Sequence, residues 1–479
     1  MKKQDIKINF IYQILYNFII MVIPLIITPI LTRRLEGVEI GKFTYSRSIA
    51  SYFVVFSMMG IIKYGQRVIS QNIDNNIKLR KAFWSLFYVH IFFSIVGIIM
   101  YVLMCIFIIK NQKLFWIQGI YVASSLFDIT WLYYGLENFK EVVIKNAFIK
   151  IIETALYILC IKSPDDIILY SFINCSSFFL CQLILIPKAL KIVKVIHIEW
   201  HECYVHIKPI IFFAIAVIGI SLYTVFDTTL LGVFSTNKNV AFYEYSNRIA
   251  KLPLAGASII GTVLFPHVCK LVSQNNMFEQ KKYMEFSIVI ISLIGSASFW
   301  GLLIVGRPLA KLYLGEDFSE CGPIIIALAP LVYIIGIGDI VRTQFMIPNK
   351  MDKEYIISIL INAIVNIILS TVLIIKLPKD FQVYGAVVGT ISAETIGMCY
   401  QLFLCRKFTS VNTILKIMTF SFFIGGIMYI ILKFFTFNIE WDIKSLCMTV
   451  IIGAVIFSPM ALLYIHFFKK YFDSKILEN

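Results

Sequence analysis

Arg47, Lys150, Arg248, Lys251, Arg342 and Lys416 stand inside or at the ends of long apolar runs. A charge near the centre of a bilayer costs about 2.5–3.5 kcal/mol to insert, so the chemistry such a cation offers is the binding of an anion or the pairing with a carboxylate. Arg248 and Lys251 are three residues apart on one helical face, and Glu244, four residues before Arg248, is placed to pair with it. The competing reading of Arg47 and Arg248 is a snorkelling side chain with its head in water. The acidic residues in apolar runs are Asp128, Glu153, Asp227, Glu244, Asp339 and Glu394. Asp128 in Phe127-Asp-Ile-Thr-Trp131 and Asp227 in Val225-Phe-Asp-Thr-Thr229 need a partner, a proton or an ion. Each is either a group that titrates in a coupling cycle or half of a fixed salt bridge or interhelical hydrogen bond. Asp128, Asp227 and Glu244 are therefore the candidates for ion coupling or gating. Lys150 with Glu153, and Asp339 with Arg342, are spaced to satisfy each other, and Lys416 reads as interfacial.

Other patterns fail on spacing. In His201-Glu202-Cys-Tyr-Val-His206 the second histidine falls one residue too late for a zincin face, so no metal is expected, and the segment reads as an amphipathic helix lying on the membrane surface. No phosphate-binding loop is present, and Gly336-x-Gly338 lies mid-span without the rest of a dinucleotide fingerprint. The ten cysteines are scattered without a C-x-x-C and read as small packing residues.

The elements that position these residues follow from composition. Of 479 residues 59% are hydrophobic and 15% charged, with a mean hydropathy of +0.83. That excludes a cytoplasmic enzyme, a nucleic-acid regulator and a secreted disulfide scaffold. Apolar runs predict about fourteen spans, near 9–32, 43–62, 83–109, 114–136, 142–161, 167–187, 209–234, 240–264, 286–306, 322–347, 355–375, 384–405, 412–432 and 446–468. Pro24 and Pro29 predict a bend in the first, which has no small-x-small cleavage site and reads as a retained span. The net charge of +15 sits mostly in short loops, where it orients the chain and meets anionic membrane lipids. Loops on the side of the termini hold close to twice the Lys and Arg of the opposite loops, which predicts both termini in the cytoplasm. The longest loops, near 63–82, 188–208 and 265–285, are too short for a nucleotide-binding domain.

Tyr45-Ser46 and Ile49-Ala50 recur in register as Tyr245-Ser246 and Ile249-Ala250, each pair opening the second helix of a six-helix block. An even number of spans separates the copies, so they run in the same direction. The expected fold is an all-α integral membrane protein with two parallel six-helix lobes around a central cavity, residues 1–200 and 201–408, plus a C-terminal helix pair over 409–479.

Three stretches carry a family resemblance: Pro29-Ile-Leu-Thr-Arg33-Arg-Leu35-Glu-Gly37, Asp128-Ile-Thr-Trp131-Leu-Tyr-Tyr-Gly135-Leu-Glu137, and Asp227-Thr-Thr-Leu-Leu-Gly232 followed by Tyr243-Glu-Tyr-Ser-Asn-Arg248-Ile-Ala-Lys251-Leu-Pro253. With them the chain resembles the Wzx-type polysaccharide repeat-unit flippases of the multidrug/oligosaccharidyl-lipid/polysaccharide exporter superfamily. Glu36 stands where a glycine is expected, and Thr228 where the family often has lysine. The resemblance implies movement of an undecaprenyl-pyrophosphate-linked oligosaccharide (O-antigen or another surface polysaccharide unit) from the inner to the outer leaflet of the bacterial cytoplasmic membrane. It also implies coupling to protons, sodium ions or the membrane potential rather than to a bound cofactor, and a polysaccharide polymerase with its chain-length machinery as partners. A cavity carrying Arg33, Arg47, Arg248, Lys251 or Arg342 would offset the desolvation of the pyrophosphate. A multidrug exporter or a peptidoglycan-precursor flippase shares this fold. A membrane-embedded polymerase or glycosyltransferase is the enzymatic alternative, set against the short outer loops.

Overall fold

A computed structural model of the chain describes residues 22–109 and 112–477, and the described residues are almost all helix. Apolar sequence in a bilayer has no water to satisfy its backbone, so each run closes its own hydrogen bonds as a helix. Helix covers every run read as a span, the first only over 22–34 (α1), which includes Pro24 and Pro29; residues 9–21 of that run lie outside the described residues. The rest are α2 (Gly37–Met58), α3 (Ile61–Gln71), α4 (Asn76–Met104), α5 (Lys113–Ser124), α6 (Thr130–Gly135), α7 (Phe139–Cys160), α8 (Ile167–Leu183) and α9 (Ile186–Ile192). They continue with α10 (Trp200–Phe234), α11 (Asn237–Ser273), α12 (Met277–Leu309), α13 (Cys321–Leu328), α14 (Leu331–Val341), α15 (Asp352–Lys376), α16 (Gln382–Cys405), α17 (Val411–Phe435) and α18 (Ile443–Leu477). Among the described residues ten helices are long and apolar enough to cross a membrane, so the count of fourteen is not itself confirmed.

Several expectations are corrected. The expected loops 63–82 and 265–285 are largely helix, because α3, α4, α11 and α12 run on through polar sequence and leave only 72–75 and 274–276 as connections. The surface helix over His197–His206 is absent as a separate element. A capping box between Glu199 and Glu202 starts α10 at Trp200, and the helix then continues unbroken to Phe234. Conversely, the span near 43–62 is interrupted at Met59 and Gly60, both left-handed at φ 39° and 73°. Only glycine is relaxed there, and a Cβ on Gly60 would lie 2.8 Å from the Phe213 carbonyl carbon.

The chain forms two compact units, Met1–Val240 and Ala241–Asn479. The first therefore packs α10 with α2 to α4, although the duplication read from sequence counts that helix as the opening of the second repeat. In the first unit Phe83 of α4 stacks on Trp131 of α6 at 5.3 Å between ring centroids, with Ile61, Ile69 and Leu132 closing the core around them. Met284, Ile288, Ile291, Ile337, Val341 and Leu402 form the core of the second unit.

Membrane helices gain nothing from burying apolar faces, so they associate where small residues let backbones meet and where polar groups bond across. The contact of α2 with α10 and with the first residue of α11 has both features. Tyr52 Oη and Thr229 Oγ1 are 3.1 Å apart, and Thr229 donates on to Ser48 Oγ at 3.1 Å. A Cβ on Gly41 would stand 1.7 Å from the Asn237 carbonyl oxygen, a clash no rotamer change relieves. Gly41→Ala is accordingly expected to cost about 1–3 kcal/mol by overpacking. Thermal unfolding of the purified protein measures it, and an unchanged midpoint would contradict the close approach.

Candidate functional site

In α7 the outward residues Ile144, Phe148 and Ile151 are apolar and exposed, whereas Lys145, Ile149, Glu153 and Tyr157, four residues apart, are buried. Lipid takes the place of a core on the outside, so the polar stripe turns inward. Glu153, 2% exposed, accepts from Lys150 Nζ at 3.0 Å, from Tyr157 Oη at 2.6 Å and from Asn174 Nδ2 of α8 at 3.0 Å. Lys145 Nζ donates to the Cys181 carbonyl at 2.6 Å and to Gln182 Oε1 at 3.2 Å. Gln182 Nε2 in turn faces Asp128 Oδ2 at 3.4 Å.

Asp128 interrupts the fourth run. Its Oδ1 accepts from the Thr130 backbone N–H at 3.0 Å and the Thr130 hydroxyl at 2.6 Å, an Asx turn that starts α6 and competes with helical hydrogen bonding. Arg47 is also held within the first unit. Its guanidinium carbon lies 3.1 Å from the Tyr121 ring centroid and 4.4 Å from that of Phe178, and Nη1 donates to Gln118 Oε1 at 3.4 Å. Two aromatic faces and one amide thus stabilise the cation. Asp227 of α10 is 1% exposed and acts electrostatically on Tyr52 of α2. Arg33 is exposed at the end of α1 and donates to the Pro29 carbonyl at 3.0 Å.

The second unit gathers the remaining cations. Arg342 pairs with Asp339, as its spacing predicts, and Lys251 of α11 and Arg342 both bear electrostatically on Glu394 of α16. Glu394 is buried and accepts from Asn362 Nδ2 at 3.1 Å. With the Gln401 amide oriented to satisfy both neighbours, its oxygen accepts from Arg342 Nη1 at 3.1 Å and its nitrogen donates to the Gly338 carbonyl at 3.2 Å. Arg248 is exposed one turn before Lys251, and among the described residues no ion pair joins it to Glu244.

Of the predicted residues, Lys251 and Arg342 both act electrostatically on Glu394 in the second unit, and Arg33 and Arg47 belong to the first. Reasoning from sequence passed over His90, Lys145, Gln182 and Asn362. The every-fourth spacing of Lys145, Glu153 and Tyr157 was the available signal for one of them, since three polar residues on one stripe of an otherwise apolar helix mark its inward face.

Apolar helices with charged side chains turned into their own bundles define a polytopic membrane protein of the transporter class. The profile of the polysaccharide biosynthesis protein family matches residues 6–272, and that of the lipid II flippase MurJ matches residues 178–453. The chain belongs to the polysaccharide biosynthesis protein family. A putative O-antigen transporter of Escherichia coli K12 is 22% identical over 416 residues, covering 85% of this chain and 98% of that protein. Another, from Shigella dysenteriae, is 25% identical over 291 residues, covering 60% and 71%. The inward closed structure of lipid II flippase MurJ superposes with a TM-score of 0.74 at 15% identity, over 95% of this chain and 98% of the other, and so shares its fold.

Proposed function

We propose that the protein is a flippase that moves a polyprenyl-pyrophosphate-linked oligosaccharide from the inner to the outer leaflet of the cytoplasmic membrane, for surface polysaccharide assembly. The observation that carries this reading is the pair Lys251 and Arg342, two cations of one membrane unit that both act electrostatically on buried Glu394, with Asp339 paired to Arg342. A diphosphate brings acceptor oxygens and negative charge, and a cation already desolvated and oriented binds it at less cost than one taken from water. Exposed Arg248, on the same helix as Lys251, is the first cation such a headgroup would meet in this reading. Arg33, Arg47 and Glu244 complete the proposed substrate and gating set, and Asp128 and Asp227 the coupling set. Alternating access driven by an ion gradient or the membrane potential supplies the work, with both termini cytoplasmic. A polymerase and its chain-length machinery would take the product.

The match of the MurJ family profile to residues 178–453 favours a second substrate, the peptidoglycan precursor. Leaflet transfer in proteoliposomes separates the readings, with labelled polyprenyl-pyrophosphate oligosaccharide, lipid II and a cationic dye compared for the parent and Arg248→Ala. Transfer of the oligosaccharide lipid, lowered about tenfold by the substitution, is expected from loss of one charge-assisted contact. Transfer of lipid II alone would assign the second substrate, and dye transport without glycolipid movement would make the protein a drug exporter.

A further inference from the structure

We propose that the groove between α4 and the chain leading into α10 binds one anionic phospholipid of the membrane, with an acyl chain along α4 and the phosphate at Lys191 and Lys194. The inference goes beyond the transport reading and does not rest on it.

The groove lies wholly within the first unit and encloses about 1180 Å³. Tyr88, Phe92 and Ile95 form one wall, residues 195–198 a second, and Trp200 and Tyr204 a third. Trp84 holds the middle wall in place, since its Nε1 donates to the Val193 and Lys194 carbonyls, each at 3.2 Å. From Lys194 to Glu199 the chain is neither helix nor strand, although Val195, Ile196 and Ile198 are apolar. The start of α10 is fixed against α4 by the ion pair Lys81–Glu202 at 2.6 Å and by Ser85 Oγ with His206 Nε2 at 3.0 Å. The walls are open, with Phe92 62% and Trp200 87% exposed. A flat apolar face in a bilayer meets a moving annulus of lipid, whereas a concave one of this size encloses a chain and holds it.

Length selects a membrane phospholipid over the polyprenyl substrate. From Lys81 to Ile95 α4 rises about 21 Å, close to the thickness of one leaflet with its headgroups, about 20–22 Å. Tyr88, Trp200 and Tyr204 cluster toward the charged end, and aromatic rings with polar tips favour the headgroup boundary. An acyl chain ends within this length, whereas an undecaprenyl chain would run far past Ile95.

Charge selects the headgroup. Lys191 and Lys194 are exposed and, among the described residues, in no ion pair. Arg80, one turn before Trp84, has a buried Nε with no hydrogen-bond partner. The acids at this end are engaged elsewhere, because Glu202 takes Lys81 and caps the start of α10 together with Glu199. His197 and His201 line the same end and offer ring N–H donors. A phosphodiester brings negative charge and acceptor oxygens to this set, and a basic pocket beside membrane helices is the chemistry that holds such headgroups. A zwitterionic headgroup adds an ammonium that Lys191 and Lys194 repel, so the site discriminates between lipids with the same chains.

The full-length protein in phosphatidylcholine vesicles tests this with lipids brominated on their acyl chains, which quench nearby tryptophan. The Trp200 signal is the difference between the parent and Trp200→Phe, a change at an exposed ring that leaves the core intact. Half-maximal quenching of Trp200 is expected at about tenfold less brominated phosphatidylglycerol than brominated phosphatidylcholine, and Lys191→Gln with Lys194→Gln should abolish the difference. Lys353→Gln with Lys407→Gln, two exposed lysines of the second unit, should leave it unchanged. Equal quenching of the parent by the two lipids overturns the site, as does a preference that survives the loss of Lys191 and Lys194. Relief of quenching by undecaprenyl phosphate at lower content than by unlabelled phosphatidylglycerol overturns the choice of occupant. No arm measures transfer, so each outcome leaves the flippase reading to its own test.

Discussion

Alanine at Glu153 is expected to destabilise the protein by about 3–5 kcal/mol, the largest stability loss of any single substitution considered. Glu153 is the one carboxylate toward which Lys150, Tyr157 and Asn174 all turn, and it lies almost wholly out of solvent. Its removal leaves the ammonium with a lost counter-ion and two hydrogen-bond donors without their acceptor. The loss therefore exceeds the net worth of the pair, since an uncompensated charge remains in low dielectric. Lys150 is more open to solvent than Glu153, so Lys150→Ala should cost less, and the double variant should recover part of the Glu153→Ala loss. Thermal unfolding in detergent reads all three. A Glu153→Ala midpoint equal to that of the parent, or strictly additive losses, would show that the network carries no stability.

Arg342→Ala is expected to reduce glycolipid transfer about ten- to a hundredfold, the value of one or two charge-assisted hydrogen bonds to an anion. Arg342 is the fork of its unit. One guanidinium nitrogen meets Asp339, another meets Gln401, and its charge bears on Glu394 together with that of Lys251. Lysine in its place keeps the charge but cannot span Asp339 and Gln401 at once, so Arg342→Lys should fall between alanine and the parent. Pairing Arg342→Ala with Asp339→Asn removes the carboxylate left without its partner and should restore folding without restoring transfer. Transfer rates per folded molecule decide the matter. Transfer by Arg342→Ala within twofold of the parent would remove this cluster from the substrate path.

Residence in the bilayer and helix at each apolar run were legible without coordinates, and one physical reason covers both. A chain in hydrocarbon must satisfy its backbone locally, so apolar length alone dictates helix. Local spacing also carried the short-range pairs, Lys150 with Glu153 and Arg342 with Asp339, because residues three apart on a helix are neighbours whatever surrounds them. The expected Glu244–Arg248 pair shows where that reasoning stops: helical spacing permits a contact without requiring it, and a side chain open to solvent has little to gain from one. Where each helix would begin and break was less legible. Asp128 breaks its run because its carboxylate bonds the Thr130 backbone, and α10 starts at Trp200 because Glu199 and Glu202 cap it, both matters of geometry that hydropathy does not register.

The sequence by itself determined that this is a polytopic helical membrane protein of a flippase-like family, with cations and carboxylates buried in its spans. Only the tertiary structure decided which of them meet. Asp128 faces Gln182 and through it Lys145, Glu394 accepts from Asn362 and feels the charges of Lys251 and Arg342, and Arg47 is enclosed by Tyr121 and Phe178. Helical periodicity assigns a residue to a face, but the neighbour across that face depends on how helices distant in sequence pack. Small residues at a close approach, such as Gly41 against Asn237, set that packing.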